Sequence, residues 1–293
     1  MTTSRETRSP EPDVYARLSE QQERQFAPAR PPWWAKGLGW LLVAAITASV
    51  VVAALEVRQQ AVLLACTKGI ELDSGKRMSE VLEEMFPNNA VAALSGPNHA
   101  EEVARQMPTA AVIGSQNAKV AQALQDVFTL PWFRTYTSDD IAGIELGGTI
   151  KNVFAIASGI AEGLGLGDNA RAALVTRGLA EMIRVGVALG GKPETFQGLS
   201  GVGDLIVTCY SEHSRNFRVG RMLGKGHSPD EIERSLGMVA EGVRNAASVH
   251  QCAHRAKLRT PIIDEVHAII YEDKPAAQAL NELLSRDPRP ELE

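Results

Sequence analysis

The alternation of apolar and polar positions divides the chain into stretches of different character. Residues 1–36 are polar, carry several prolines and show no period, which predicts a flexible arm. From Gly37 to Leu55 the run GLGWLLVAAITASVVVAAL contains no charged residue. As a helix such a run would rise about 28 Å, close to the hydrocarbon thickness of a bilayer. The pattern leaves two readings of the apolar segment 37–58: a membrane span, or a buried element of a soluble core. Beyond it, short apolar runs of strand length alternate with runs of helical period. QAVLLACTKGIE, AVAAL, TAAVIGS and FRTYTSD read as strands; GKRMSEVLEEMF, the run after the turn SGPN, and AKVAQALQDVF read as helices. Met78, Val81, Leu82, Met85 and Phe86 would form the apolar face of the first of these helices. Such alternation predicts a parallel sheet covered on both faces. From about Asp139 the period is helical almost without interruption.

The fold class expected is therefore an α/β, partial Rossmann-like domain over 59–138, followed by an all-α helical domain over 139–293. In the first long helix Ile150, Val153, Phe154, Ala157 and Ile160 fall on one stripe, and Gly147, Gly148, Lys151, Ala155 and Ser158 on another. The second stripe consists of small residues around one charge, which would leave room for a ligand. Glu145 and Glu162 are the carboxylates that a merely structural Lys151 would meet. A second long helix is expected with Asp168 as its N-cap and Ala172, Val175, Leu179, Met182 and Val185 on its apolar face; Pro193 is expected to stop the pair.

Composition narrows the chemistry. The chain has 293 residues, 44% of them hydrophobic, enough for a full core, and its net charge of -5 argues against a nucleic-acid partner. Cys66, Cys209 and Cys252 have no paired spacing and read as small, packed, reduced thiols. The histidines, His99, His213 and His250 among them, give no expectation of a metal site. GLGWLL is a poor phosphate loop, because Leu42 stands in place of the third glycine and PPWWAK, not a strand, precedes it. Lys68, at the carboxyl end of a strand, is placed where open α/β sheets bind ligands. Asp204 follows a glycine-rich turn, and Ser214, Arg215 and Asn216 form a cluster suited to a phosphate monoester, because a guanidinium fork matches two phosphate oxygens.

These residues carry a resemblance. TKGIE, LSGPNHAEEV, RTYTSDDIAGIELGGTIKNVFAIASGIAEGLGLGDNARAALVTRGLAEM, GLSGVGDLIVTC, SRNFRVG, GMVAEGVRNA and PIIDEV resemble, in order, the bacterial NAD(P)-dependent glycerol-3-phosphate dehydrogenases, from about Gln60 to the C-terminus. The resemblance implies reversible hydride transfer between NAD(P)H and dihydroxyacetone phosphate, giving sn-glycerol 3-phosphate for glycerophospholipid synthesis in the cytoplasm. It implies that Lys151 is the general acid and base, with Lys68 and Asp204 beside it. Gly96, Asn98, Ser214, Arg215 and Asn216 would contact the substrate together with those three, whereas Lys68, Ala100, Arg215, Val239 and Glu241 would contact NAD or NADP.

Two departures stand out. Asn98 replaces the serine usual in the family, and the first two strands with their glycine loop are missing, the polar arm and apolar run standing in their place. A non-catalytic remnant is therefore a second reading: a phosphate-binding or oligomerising helical domain, tethered to a membrane by residues 37–55. A third has the N-terminus arise from a fusion or a mistaken start. A membrane contact through 37–55 and a homodimer stay open.

Overall fold

The computed structural model describes residues 61–236, 240–288 and 290–291. The arm 1–36, the apolar segment 37–58 with its two readings, and Val239 lie outside the described residues. Among the described residues no helix is long and apolar enough to cross a membrane.

The elements follow in the order β1 (Leu63–Ala65), α1 (Met78–Met85), β2 (Val91–Ser95), α2 (Ala100–Ala104), β3 (Thr109–Gly114), α3 (Ala118–Phe128) and β4 (Phe133–Ser138). Then come α4 (Ile141–Gly163), α5 (Asp168–Ala188), α6 (Pro193–Phe196), a wide π-type turn at Leu199–Gly203, α7 (Asp204–Tyr210) and α8 (Arg215–Gly224). The chain continues through α9 (Pro229–Leu236), α10 (Glu241–Arg255), α11 (Pro261–Tyr271) and α12 (Ala276–Leu284). The four strands lie in the order β1-β2-β3-β4. Ala65, Val91, Ala93, Ile141 and Ile144 pack on one face of the sheet, and Leu94, Ala111, Ile113 and Phe133 on the other, so both faces are covered as expected.

The expectation of a parallel sheet is corrected at its centre. β1 with β2 and β3 with β4 are parallel, but β2 and β3 pair antiparallel, Leu94 opposite Ile113. A parallel return needs a crossover that carries the chain back along the strand, usually on a helix. The outer connections hold helices of eight and eleven residues, whereas α2 has five, about 7.5 Å of rise, and the chain re-enters the sheet from the end it left.

The second correction concerns α4. It is buried on every side from Ile141 to Ala161, as the central post of the helical region, so the two stripes do not separate an inside from an outside. A helix apolar almost all round belongs in the middle of a core. Ile150, Val153, Phe154, Ala157 and Ile160 join Val175, Met182, Val185, Phe196, Leu205 and Ile263 in one cluster. The small residues admit protein backbone more than they leave space: a Cβ on Gly147 would meet the Ser200 carbonyl oxygen at 2.5 Å. Against α8 the approach is closer still, with Gly159 set on the Phe217 carbonyl and Gly220 on the Ile156 carbonyl.

Smaller differences are local. Gly167 is the N-cap of α5 and Asp168 its first residue, where a carboxylate still favours the helix dipole. Pro193 opens α6 instead of ending α5, since the first turn of a helix has no use for the N–H that proline lacks. Met85 is 62% exposed, Ala172 and Cys66 are exposed too, and Cys209 and Cys252 are buried as expected.

Candidate active site

The site forms where the carboxyl ends of β1 and β2 meet α4 and α7. Lys68, three residues past β1, extends its Nζ to the Gly96 carbonyl (3.2 Å), Asn98 Oδ1 (3.3 Å) and Asp204 Oδ2 (2.7 Å). Gly148 makes this reach feasible: a Cβ there would lie 2.5 Å from Ser95 Oγ and 3.4 Å from Lys68 Cγ. Asn245, on α10, donates to the Lys68 carbonyl at 3.0 Å and fixes the backbone from below. Gly96 turns the chain at φ +141°, a conformation suited to glycine, and sits against β3, so that an added Cβ would meet Ala111 Cα at 3.0 Å. Gly96→Ala is expected to cost about 2 kcal/mol, read as a fall in Tm of roughly 4–8 °C by thermal denaturation.

Lys151 lies on the neighbouring turn of α4 and is 5% exposed. Its Nζ donates to Asp204 Oδ1 at 2.9 Å and to Thr208 Oγ1 at 2.5 Å. Neither Glu145 nor Glu162 is its partner. Glu145 accepts from the Ser79 backbone N–H (2.8 Å) and hydroxyl, tying α1 to α4, and Glu162 meets Arg171 and Arg221. Asp204, 1% exposed, thus holds one lysine on each carboxylate oxygen. Two ammonium groups against one carboxylate leave the centre net positive, ready for an anion or a developing oxyanion. Burial lowers the Lys151 pKa to about 8; Asp204 opposes the shift and the charge of Lys68 adds to it. Burial pushes the neighbouring Cys209 thiol up to about 12, so this cysteine stays protonated.

Three buried polar atoms around this centre have no protein partner: Ser95 Oγ, His99 Nε2 and Asn152 Nδ2. Buried polar groups are ordinarily paired, so a cluster of orphans beside two lysines marks a place for a polar ligand. On the far lip, Ser214 caps α8, accepting from the Phe217 N–H at 3.2 Å, and Arg215 is exposed. The Asn216 amide oxygen is taken by the Gly242 N–H (3.0 Å), which fixes the start of α10, so only the rest of its amide is open to a ligand. Ala100 opens α2 and Glu241 opens α10, both exposed.

The structure therefore brings Lys68, Lys151, Asp204, Gly96 and Asn98 into one bonded set and leaves Ser214, Arg215 and Asn216 on a lip of their own. Thr208, His99 and Asn245 were not among the expected site residues. Thr208 stands one helical turn after Asp204, a spacing visible in the sequence. Elsewhere, His250 and His254 stand one turn apart on α10, an H-x-x-x-H spacing present in the sequence, yet His250 stacks on His267 at 3.9 Å between ring centroids. Among the described residues no group of three or more such side chains is arranged to hold a metal.

A family model for the N-terminus of NAD-dependent glycerol-3-phosphate dehydrogenase matches residues 41–121, and one for its C-terminus matches residues 140–281. A glycerol-3-phosphate dehydrogenase, NAD(P)+, of Moorella thermoacetica is 50% identical over 232 residues, 79% of this chain and 69% of the relative. The chain belongs to the NAD-dependent glycerol-3-phosphate dehydrogenase family. The corresponding protein of Clostridium tetani is 45% identical over 80% of this chain and 67% of its own length. Among solved structures, glycerol-3-phosphate dehydrogenase from Coxiella burnetii superposes with a TM-score of 0.74 at 42% identity, over 76% of this chain and 68% of the other. The partial Rossmann-like sheet of four strands and the mostly helical C-terminal part of this chain match that structure. About a third of each relative has no counterpart in the matched region.

Proposed function

We propose that this protein catalyses the reversible NAD(P)-dependent interconversion of dihydroxyacetone phosphate and sn-glycerol 3-phosphate. The observation that carries this reading is Lys151, buried against Asp204 with its pKa brought to about 8, where it can both give and take a proton near neutral pH. Lysine, aspartate, threonine and asparagine can move a proton and stabilise an oxyanion, but none can transfer hydride, so the chemistry of the site fits a nicotinamide beside Lys68 and Ala100. When bound, that cofactor supplies or receives the hydride.

In the reducing direction Lys151 protonates the carbonyl oxygen of the substrate, and in the reverse direction it removes the hydroxyl proton. Asp204 and Thr208 hold its Nζ in place, and Lys68 adds positive charge where the oxyanion develops. Gly96 and Asn98 line the substrate, Ser214, Arg215 and Asn216 hold its phosphate, and Ala100, Arg215, Val239 and Glu241 border the cofactor. A homodimer and a cytoplasmic location go with this reading; light scattering of the purified chain tests the first.

The assay is oxidation of NADH and NADPH by the purified protein with dihydroxyacetone phosphate, followed by nicotinamide absorbance. No turnover from folded protein would return the chain to the status of a non-catalytic remnant. The pH dependence has a definite sign. Reduction needs Lys151 protonated, so its rate should fall as pH rises through about 8, whereas oxidation of glycerol 3-phosphate should rise through the same region. Arg215→Ala should raise KM for dihydroxyacetone phosphate roughly tenfold, about 1.4 kcal/mol, in steady-state kinetics. An unchanged KM would place the phosphate elsewhere.

A further inference from the structure

We propose that His99 and His213 complete the phosphate site beside Arg215, His99 reaching the phosphate ester from the α2 side of the cleft and His213 from the side that carries Arg215. The inference rests on the substrate reading above and adds two residues that the reading did not contain. His99 is the N-cap of α2, between Asn98, which binds Lys68, and Ala100. His213 lies in the short loop between α7 and α8, directly before Ser214 and Arg215. The two rings thus come from opposite lips, and their centroids stand 6.2 Å apart at a tilt of 60°. An N–H···O bond of about 2.8 Å places an oxygen roughly 4 Å from the centre of an imidazole ring. Rings at this separation can both donate to a single phosphate group.

His99 Nε2 is buried and has no partner, although a buried ring nitrogen ordinarily has one. The charges around it are also unbalanced in a telling way. Lys151 and Asp204 face His99 from the floor of the cleft, Glu101 and Glu102 from α2, and His213 from the opposite lip. Burial and then the Lys151 charge hold the His99 pKa below its ordinary value, against the pull of the carboxylates. Arg215 is close enough to act on the same Glu101 carboxyl that feels both histidines. A phosphate dianion entering between these groups would favour the imidazolium forms.

The sign follows. With the ester bound, the histidines should titrate at higher pH than in the free protein, so binding takes up protons and this contribution to affinity declines as pH rises through the bound-state midpoints. The ester's own second ionisation, near pH 6, acts in the opposite direction, so the histidine protons themselves have to be observed.

The experiment is proton NMR of the imidazole Cε1–H signals of the full chain, assigned with His99→Gln and His213→Gln, titrated without and with sn-glycerol 3-phosphate. Both midpoints should move up by about half a pH unit or more on saturation. Each glutamine variant should weaken binding of the ester about fivefold and raise KM for dihydroxyacetone phosphate in step, leaving kcat within about threefold. Midpoints that stay fixed while the ester binds would overturn the inference and leave the dehydrogenase reading intact. Histidine shifts in a protein that shows no turnover would retain the inference and overturn that reading, whereas failure to bind any phosphate ester would overturn both. If a glutamine variant does not fold, His99→Asn or His213→Asn assigns the signal in its place, and the wild-type midpoints then decide.

Discussion

Lys151→Ala is expected to lower kcat for dihydroxyacetone phosphate reduction by about 10²–10⁴-fold, the range over which a positioned acid and base contributes. KM should change little, because the ammonium group is bonded to Asp204 and Thr208 and the lip at Ser214–Asn216 is untouched. The variant should still fold. Asp204 keeps Lys68 at 2.7 Å as a counter-charge, so the substitution does not strand a buried carboxylate. Circular dichroism and the melting curve check this, and the pH–rate profile supplies the sharper control. If Lys151 is the titrating group, the profile of residual activity should lose its inflection near pH 8. Near-normal turnover in the variant would remove Lys151 from the mechanism.

Gly220→Ala should be among the most damaging single-methyl substitutions in the helical region. The added Cβ would stand 2.0 Å from the Ile156 carbonyl oxygen, 2.8 Å from its carbon and 3.0 Å from the Ile156 Cα. All three are backbone atoms of α4, so no side chain can swing aside, and the helices must separate. Overpacking of a well-filled core commonly costs about 1–3 kcal/mol, and a backbone clash of this depth should reach the upper end or exceed it. At 3 kcal/mol the Tm would fall by roughly 6–12 °C. Gly167→Ala is the control: nothing lies within 4 Å of its added Cβ and its φ is -76°, so it should stay within about 1 kcal/mol of wild type. Equal melting temperatures for the two variants would mean that the α4–α8 contact is not tight in solution.

Local pattern was enough to read all four strands, the helix at Ala118–Phe128 to the residue, and the change to helix after β4. It was enough because those signals are periodicities within ten or twenty residues. The direction of β3 was not legible in the same way, since it depends on whether a five-residue helix can carry the chain back along β2. The burial of α4 on all sides was also hidden: Gly147, Ala155 and Ser158 look like a lenient face until the backbones they admit are known. At the site, Lys68, Lys151 and Asp204 could be singled out one by one, but that a single carboxylate holds both lysines is a tertiary fact. Thr208 had a usable signal in its spacing from Asp204. His99 had only its place inside SGPNHAEEV, and Asn245 no signal beyond membership of GMVAEGVRNA.

The double grip on Asp204 also bears on how the chain acquires activity. Its bond to Lys151 closes a loop of 53 residues and its bond to Lys68 one of 136. The longer closure costs more chain entropy and depends on docking of the sheet, whereas the shorter one lies wholly within the helical region. A collapsed intermediate with α4 and α7 packed would hold Lys151 on Asp204 yet lack Lys68. In a refolding experiment the helical signal should therefore return ahead of turnover, and the lag between them would time the arrival of β1.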